Sequence, residues 1–546
     1  MASSPTPSNL ESTPVSATQA RLPKLSPEFI AQHYPANTKL LRVDLVHRHG
    51  ERTPVSHRFT DISPKYWNLC TQGNQLHTAF IRAVNVHALE PASDKAKDSN
   101  RQQLPWQNYI FGATKRSSGD FFGTDSSDSQ HANDKSRLSE ATCAFGQLTD
   151  VGRESLTALG AHMRALYVDA LGFLPATPRP GSTNGPTEDL HLRTTLYTRA
   201  FESLQHTLGG MYPNISANTP LFRINVRPLT RENMFPRFEC KSFAKLFSML
   251  NKASIELYAG EYETMYQDML KIPTMRAFFD NEYKPGRARV AISVWDTVSS
   301  IRSHSLPLPR EIDDEFIARV SQMSALEYMH SMLKSTELTR MQIGSFVHEL
   351  TGNIVHAVET DRGTLSDRQP SPKMGIYSGH DTTLGPLLSV FGDGFTGPAS
   401  QAPIGFMWPP YASSMRIELL KDTKTPYPAI QPHWAGELAD HSTDPSAIPP
   451  ESRLRPVNVP SSLYHWPPGR SGTAGSLNPR ATRDYYVRVW YNDRTIQLPA
   501  CRDPGAHHTK LGPAVCTLDG FFKQIARFAA SDVESHTQCL VRSATE

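Results

Sequence analysis

Two β-prone runs that each stop at a histidine constrain this chain more than any other feature. Residues 40–46 (LLRVDLV) lead into His47-Arg48-His49-Gly50, and residues 374–378 (MGIYS) lead into Gly379-His380-Asp381. A short apolar run halted by polar and glycine residues is how a central strand of an α/β sheet delivers its end to a functional loop. The second run continues through Thr382-Thr383 into Leu384, Leu387, Leu388 and Phe391, spaced as one face of a helix. Both therefore read as a strand followed by a loaded turn.

Between them the helical period dominates. Thr149 is placed to cap a helix reaching about Leu171, with Leu156, Leu159, Met163, Leu166 and Ala170 on one face. A helix from about Thr195 should stop at Gly209-Gly210. Residues 241–284 and 312–360 read as mostly helical, and their Met and aromatic stripes read as core packing. Residues 485–498 (YYVRVWYNDRTIQL) return to a strand reading, and DGFFKQIARFAA reads as a closing helix. Residues 114–136, 175–189 and 421–480, the last with eleven prolines, read as inserted loops. Eleven of the first twenty residues are Ser, Thr or Pro, so residues 1–37 are expected to form a flexible tail.

Composition excludes several classes. Lys and Arg number 56 against 53 Asp and Glu, without a block of like charge, which argues against a nucleic-acid or membrane-binding arm. No apolar run is long enough for a membrane-spanning helix. The N-terminal residues lack the apolar stretch of a signal peptide, and no basic residue precedes Arg21, so an intracellular site, cytoplasmic or mitochondrial, is favoured. Six cysteines are too sparse for a disulfide scaffold, and no CxxC suggests zinc; only Cys501 and Cys516 lie close enough for a local bridge. The oligomeric state is left open.

The chemistry concentrates in RHGERTP, residues 48–54. Arg48 and Arg52 flank His49 and would repel one another unless an anion sits among them, and guanidinium forks match phosphate oxygens. Gly50 is expected to admit the ligand to the backbone, and Pro54 to fix the loop's exit. A neutral imidazole at His49 can attack phosphorus without a thiol or metal. His47 and His49 also suit a metal pair, but the two arginines oppose a cation and no carboxylate cluster completes a ligand set. No cofactor or metal is expected, and His47 reads as a packing or hydrogen-bonded residue.

Together, RHGERTP and Tyr377-Ser378-Gly379-His380-Asp381-Thr382-Thr383-Leu384 resemble the paired signature of the histidine acid phosphatases, a branch of the phosphoglycerate mutase-like superfamily. Intermediate blocks resemble it too: Gly146-Gln147-Leu148-Thr149 with Gly152, Leu192-Arg193-Thr194-Thr195 with Arg199, Gly210-Met211-Tyr212-Pro213, Trp295-Asp296, and Trp408-Pro409-Pro410-Tyr411-Ala412-Ser413. The resemblance implies a three-layer α/β/α sandwich from residues 38–230 and 346–546, with inserts at about 85–140 and 421–480 and a mainly helical cap at 231–345. It implies that His49 becomes phosphohistidine, that Arg48, Arg52, Arg193 and His380 hold the phosphate, and that Asp381 protonates the leaving alcohol. An acidic optimum follows, since a neighbouring phosphate dianion favours the protonated carboxyl.

The cysteines near the C-terminus, Cys501, Cys516 and Cys539, resemble the lysophosphatidic acid phosphatase type of enzyme. The Met- and aromatic-rich stretch at 232–275 offers lining for an acyl channel. The expected activity is metal-independent hydrolysis of a small phosphomonoester. A phytase-like activity, a catalytically idle phosphate-binding protein and a phosphomutase are the alternatives. The first lacks a cationic surplus, and the intact His49 and Asp381 count against the second. The His-Asp dyad resembles hydrolases rather than mutases.

Overall fold

The computed structural model describes residues 20, 22–75, 141–181, 187–214, 222–282, 290–364, 370–392, 408–423 and 482–541. The expected inserts at 85–140 and 421–480 lie almost wholly outside these residues.

The two strands that end at histidine are neighbours. β1 (Thr38–Arg48) runs parallel to β4 (Met374–Gly379), and the register pairs Arg48 with Gly379. His49 and His380 therefore leave the sheet side by side. On the other side of β4, β2 (Leu190–Thr194) is also parallel, with Thr194 opposite Ser378, so a third strand ends at the same edge. β3 (Ile224–Val226) extends this parallel half. Beyond β1 the sheet turns antiparallel through β5 (Ser414–Asp422), β6 (Tyr485–Tyr491), β9 (Gly512–Thr517) and β8 (His507–His508), and β7 (Arg494–Ile496) pairs with β6.

Alternation along the strands sorts the two faces. Val43, Leu45, Leu192 and Ile376 pack against α2 (Asp150–Arg164) and α3 (Thr198–Met211). Val46, Tyr377, Met415 and Ile417 face the opposite core, shared with α10 (Thr336–Arg362) and α11 (Asp381–Val390). The three-layer sandwich stands as expected. Helices α4 (Lys241–Leu257), α5 (Ala259–Leu270), α6 (Pro273–Glu282), α7 (Val290–Ser303), α8 (Asp314–Ala325) and α9 (Ser331–Lys334), in the stretch expected to form a cap, contribute to that same core. α10 runs unbroken across residue 345, where the expected boundary falls.

Thr149 caps α2 as expected, its Oγ1 accepting from Gly152 N at 3.3 Å. α3 does not stop at Gly209-Gly210 but runs through to Met211. A Cβ at Gly210 would strike the Thr157 carbonyl, and one at Gly160 the Thr207 carbonyl, so these glycines let α2 and α3 cross closely. Residues 485–498 form a hairpin rather than one strand, because Asn492 at φ 52° turns the chain between β6 and β7. The tail reading fails for its last part: α1 (Pro27–His33), capped by Ser26, lies against the sheet. Phe29 and His33 meet Trp490, and Arg488 donates to the His33 carbonyl at 2.7 Å.

All six cysteines pair, the local bridge Cys501–Cys516 together with Cys70–Cys143 and Cys240–Cys539. Only the first was visible locally; the others are 73 and 299 residues apart in sequence and meet through the fold.

Beneath α1, the Glu418 carboxylate accepts from Tyr34 and Tyr167 hydroxyls at 2.6 Å each, from Arg488 Nε at 2.8 Å and from Trp490 Nε1 at 3.0 Å. Burial would raise its pKa, but Arg488, Arg416 and the two tyrosines overcome that and hold it at about 2 rather than 4.5. A carboxyl depressed in the folded state stabilises above its unfolded pKa and loses that contribution as pH falls through the folded value. Thermal unfolding temperature should therefore drop between pH 4.5 and about 2 by more in the wild type than in a Glu418→Gln variant, which starts lower and falls less over that window.

Candidate active site

The loop after β1 is held in an extended path by the segment that precedes α2. Thr53 N donates to Gln147 O at 3.1 Å, Thr149 N to Glu51 O at 3.0 Å and Gly146 N to Pro54 O at 2.8 Å. Gly50 serves this packing: a Cβ there would strike the Gly152 carbonyl and the Leu156 side chain. Glu51 is buried below the loop, and that burial pushes its carboxyl up.

His49 is 1% exposed, and its Nδ1 lies 2.9 Å from the Gly50 carbonyl. A carbonyl only accepts, so Nδ1 carries the proton and Nε2 keeps a free lone pair. Burial, reinforced by Arg199, Arg48, His380 and Arg52, pushes the His49 pKa well below the ordinary 6.5. That shift favours the neutral, nucleophilic form of the ring over the imidazolium. His47 turns away, its Nδ1 donating to the Arg48 carbonyl at 3.1 Å and its Nε2 3.5 Å from Thr207 Oγ1.

His380 stands with its ring centre 5.4 Å from that of His49. Its Nε2 is 2.8 Å from Thr195 Oγ1, just past the end of β2, and Tyr197 and Phe235 meet its ring edge-on at 5.0 and 4.8 Å. Burial, then Arg199, Arg48 and Arg52, hold its pKa well below 6.5 too. Asp381 opens α11 beside it. Its Oδ1 accepts from Thr382 N at 2.8 Å; its Oδ2 accepts from Trp408 Nε1 at 3.0 Å and pairs with Arg48 Nη2 at 2.7 Å.

The arginines divide unequally. Arg48 donates to Pro409 O at 2.7 Å and lies 4.1 Å over the Tyr411 ring. Arg52 pairs with Asp296 of α7 at 2.7 Å, and Asp296 also takes Val55 N at 2.9 Å and faces Arg58 at 3.8 Å. Arg193, expected among the phosphate ligands, has both terminal nitrogens held by protein groups: Nη1 donates to Glu349 at 2.5 Å, and Nη2 to Glu232 at 2.6 Å and to the Asn233 amide oxygen at 2.5 Å. Arg199 is not committed in this way. Its guanidinium lies 4.8 Å over Tyr197, no carboxylate pairs with it among the described residues, and it is the strongest charge acting on both His49 and His380. Burial, then Arg52, lowers its pKa to about 10.

The sequence held the sign. Arg193 sits within β2, whereas Arg199 follows the strand end that aligns with those of β1 and β4. Among the described residues, Nε of Arg48, Arg52, Arg193 and Arg199 are all buried without an acceptor, so it is the terminal nitrogens, not Nε, that separate Arg193 from the others. Four cations, counting Arg58, face two carboxylates around a neutral imidazole, an imbalance suited to a phosphate dianion.

Residues 39–431 match the family profile described as the histidine phosphatase superfamily, branch 2. The chain belongs to this family. Among the relatives of this histidine phosphatase, a probable acid phosphatase of Schizosaccharomyces pombe is 25% identical, over 93% of this chain and 95% of that protein. Human lysophosphatidic acid phosphatase type 6 is 24% identical over 54% of this chain and 61% of its own length. A Hafnia alvei phytase solved with tartrate is 12% identical with a TM-score of 0.51, covering 92% of this chain and 99% of that one; it shares the fold. The expectation of a histidine acid phosphatase is borne out at the level of family.

The two buried arginines should separate by experiment. Arg193→Ala leaves Glu232 and Glu349 short of a partner and should cost about 3 kcal/mol of stability with little effect on turnover per folded molecule. Arg199→Ala should keep the melting temperature and lower kcat/KM about a hundredfold. The opposite pattern would return Arg193 to the site.

Proposed function

We propose that this histidine phosphatase hydrolyses phosphomonoesters through a phosphohistidine formed on His49. The observation that carries this reading is the free Nε2 lone pair of a neutral, buried His49 set among arginines that outnumber their carboxylates.

Arg48, Arg52 and Arg199, with His380, bind the phosphoryl oxygens and offset their charge in place of a metal. The Nε2 lone pair then forms a bond to phosphorus while the P–O bond to the alcohol breaks. The leaving oxygen keeps that electron pair and takes a proton from Asp381. In the second half a water oxygen attacks phosphorus, the N–P pair returns to Nε2, and the water's proton passes to Asp381. The sum is alcohol and inorganic phosphate from ester and water.

For the alcohol, the supported class is one with an apolar body. Tyr197, Phe235 and Tyr411 stand around the two histidines. The similarity to the human lysophosphatidic acid phosphatase points the same way. The stretch at 232–275 contributes less to this than expected: Met234, Phe243, Phe247 and Met265 are buried in the cap core, Met249 faces outward, and Phe235 reaches the site.

The deciding assay is phosphate release in EDTA, at acidic and neutral pH, from a lysophosphatidate, a sugar phosphate and phytate. Faster release from the lysophosphatidate at acidic pH, undiminished by EDTA, is expected. Preference for phytate would reject the substrate class, and loss of all activity in EDTA would reject the metal-free chemistry.

A further inference from the structure

We propose that Trp408 is a positioning residue for the proton-donating oxygen of Asp381, an inference that rests on the phosphatase reading above. Trp408 is 3% exposed, and its indole N–H can only donate; its acceptor is Asp381 Oδ2, at 3.0 Å. A carboxylate oxygen offers two in-plane lone pairs. Trp408 takes one, and Arg48 Nη2, at 2.7 Å, approaches the other.

A bound phosphate draws Arg48 toward its own oxygens and releases the second lone pair, which is where the transferable proton must sit. Trp408 keeps Oδ2 aimed during that exchange. Otherwise the carboxyl is anchored by Thr382 N on Oδ1 alone among these contacts. When the proton leaves, its bonding pair stays on Oδ2, and the same indole N–H stabilises the carboxylate left behind.

The indole is itself fixed from two sides. Trp408 N donates to Ser321 Oγ of α8 at 3.3 Å, and the ring meets Tyr328, in the π-helical turn Leu326–His330 of the cap, at 6.1 Å. The next residue, Pro409, supplies the carbonyl that Arg48 Nη1 holds at 2.7 Å. The cap thus reaches the proton transfer through Trp408, whose place in the sequence is remote from both histidine loops.

The test compares Trp408→Phe with wild type on glycerol 2-phosphate, whose leaving alcohol needs a proton, and on p-nitrophenyl phosphate, whose leaving group needs little. Since general acid catalysis supplies about 10²–10⁴ in rate, loss of aim should cost about tenfold or more in kcat/KM on the alkyl ester and less than about threefold on the aryl ester. In an Asp381→Asn background the same substitution should add no alkyl-selective loss. Equal losses on both esters, or an alkyl-selective loss that persists in that background, would overturn the proposal.

Should Trp408→Phe not fold, the readout moves to the indole N–H resonances of the seven tryptophans in ¹⁵N-labelled protein. Asp381→Asn should displace one of them strongly, and a spectrum unchanged by that substitution would overturn the proposal. Failure of the wild-type enzyme to release phosphate from either ester would instead reject the phosphatase reading itself.

Discussion

His49→Ala is expected to lower turnover by about 10⁵-fold or more, while inorganic phosphate still binds. The two outcomes separate because nucleophile and anion cradle reside on different side chains. Removing the imbalance-neutral imidazole deletes the atom that bonds to phosphorus but leaves Arg48, Arg52 and Arg199 with their charge. Burial of the ring among these cations also makes its neutral form the resting one, so the wild-type nucleophile should persist into acid where a solvent-exposed histidine would be silenced. Retention of more than about a hundredth of wild-type turnover in His49→Ala would remove His49 from the nucleophile's role.

Asp381→Asn is the second large effect, and it should depend on the leaving group. Asn has one acceptor oxygen, so it can take the Thr382 N–H or the Trp408 N–H but not both, and it cannot donate an acidic proton in either orientation. Alkyl phosphates should lose about a thousandfold in kcat/KM, p-nitrophenyl phosphate far less. Equal losses on both would make Asp381 a structural partner of Arg48 rather than an acid.

What could be read from the chain alone was whatever local rules decide. The two runs ending at His49 and His380 are strands because short apolar stretches stop at loaded turns, and Thr149 caps its helix because the hydroxyl serves a neighbour three residues away. The exchange of Arg193 for Arg199 was less legible. Both lie in one recognisable block, and the choice depends on Glu232 and Glu349, residues distant in sequence that claim Arg193. Asp296 and Trp408 were visible only as members of similar blocks, since their partners Arg52 and Asp381 come from other elements. The bridges Cys70–Cys143 and Cys240–Cys539 escaped for the same reason, and Gly209-Gly210 of α3 read as a helix stop because a close helix crossing, here at Gly210, leaves the same residue type.

The claim on which the rest depends is a covalent phosphoryl group on His49. Asp381→Asn offers the means to accumulate it, because p-nitrophenyl phosphate can phosphorylate the imidazole without a proton donor while hydrolysis of the intermediate lacks its base. Rapid mixing of this variant with that ester, quenching in alkali to preserve the acid-labile N–P bond, and mass spectrometry of the peptide bearing RHGERTP should find one phosphoryl group on His49, with nitrophenolate released in a burst stoichiometric with enzyme. A burst with the label on another residue, or nitrophenolate release with no protein-bound phosphoryl at any time, would contradict it.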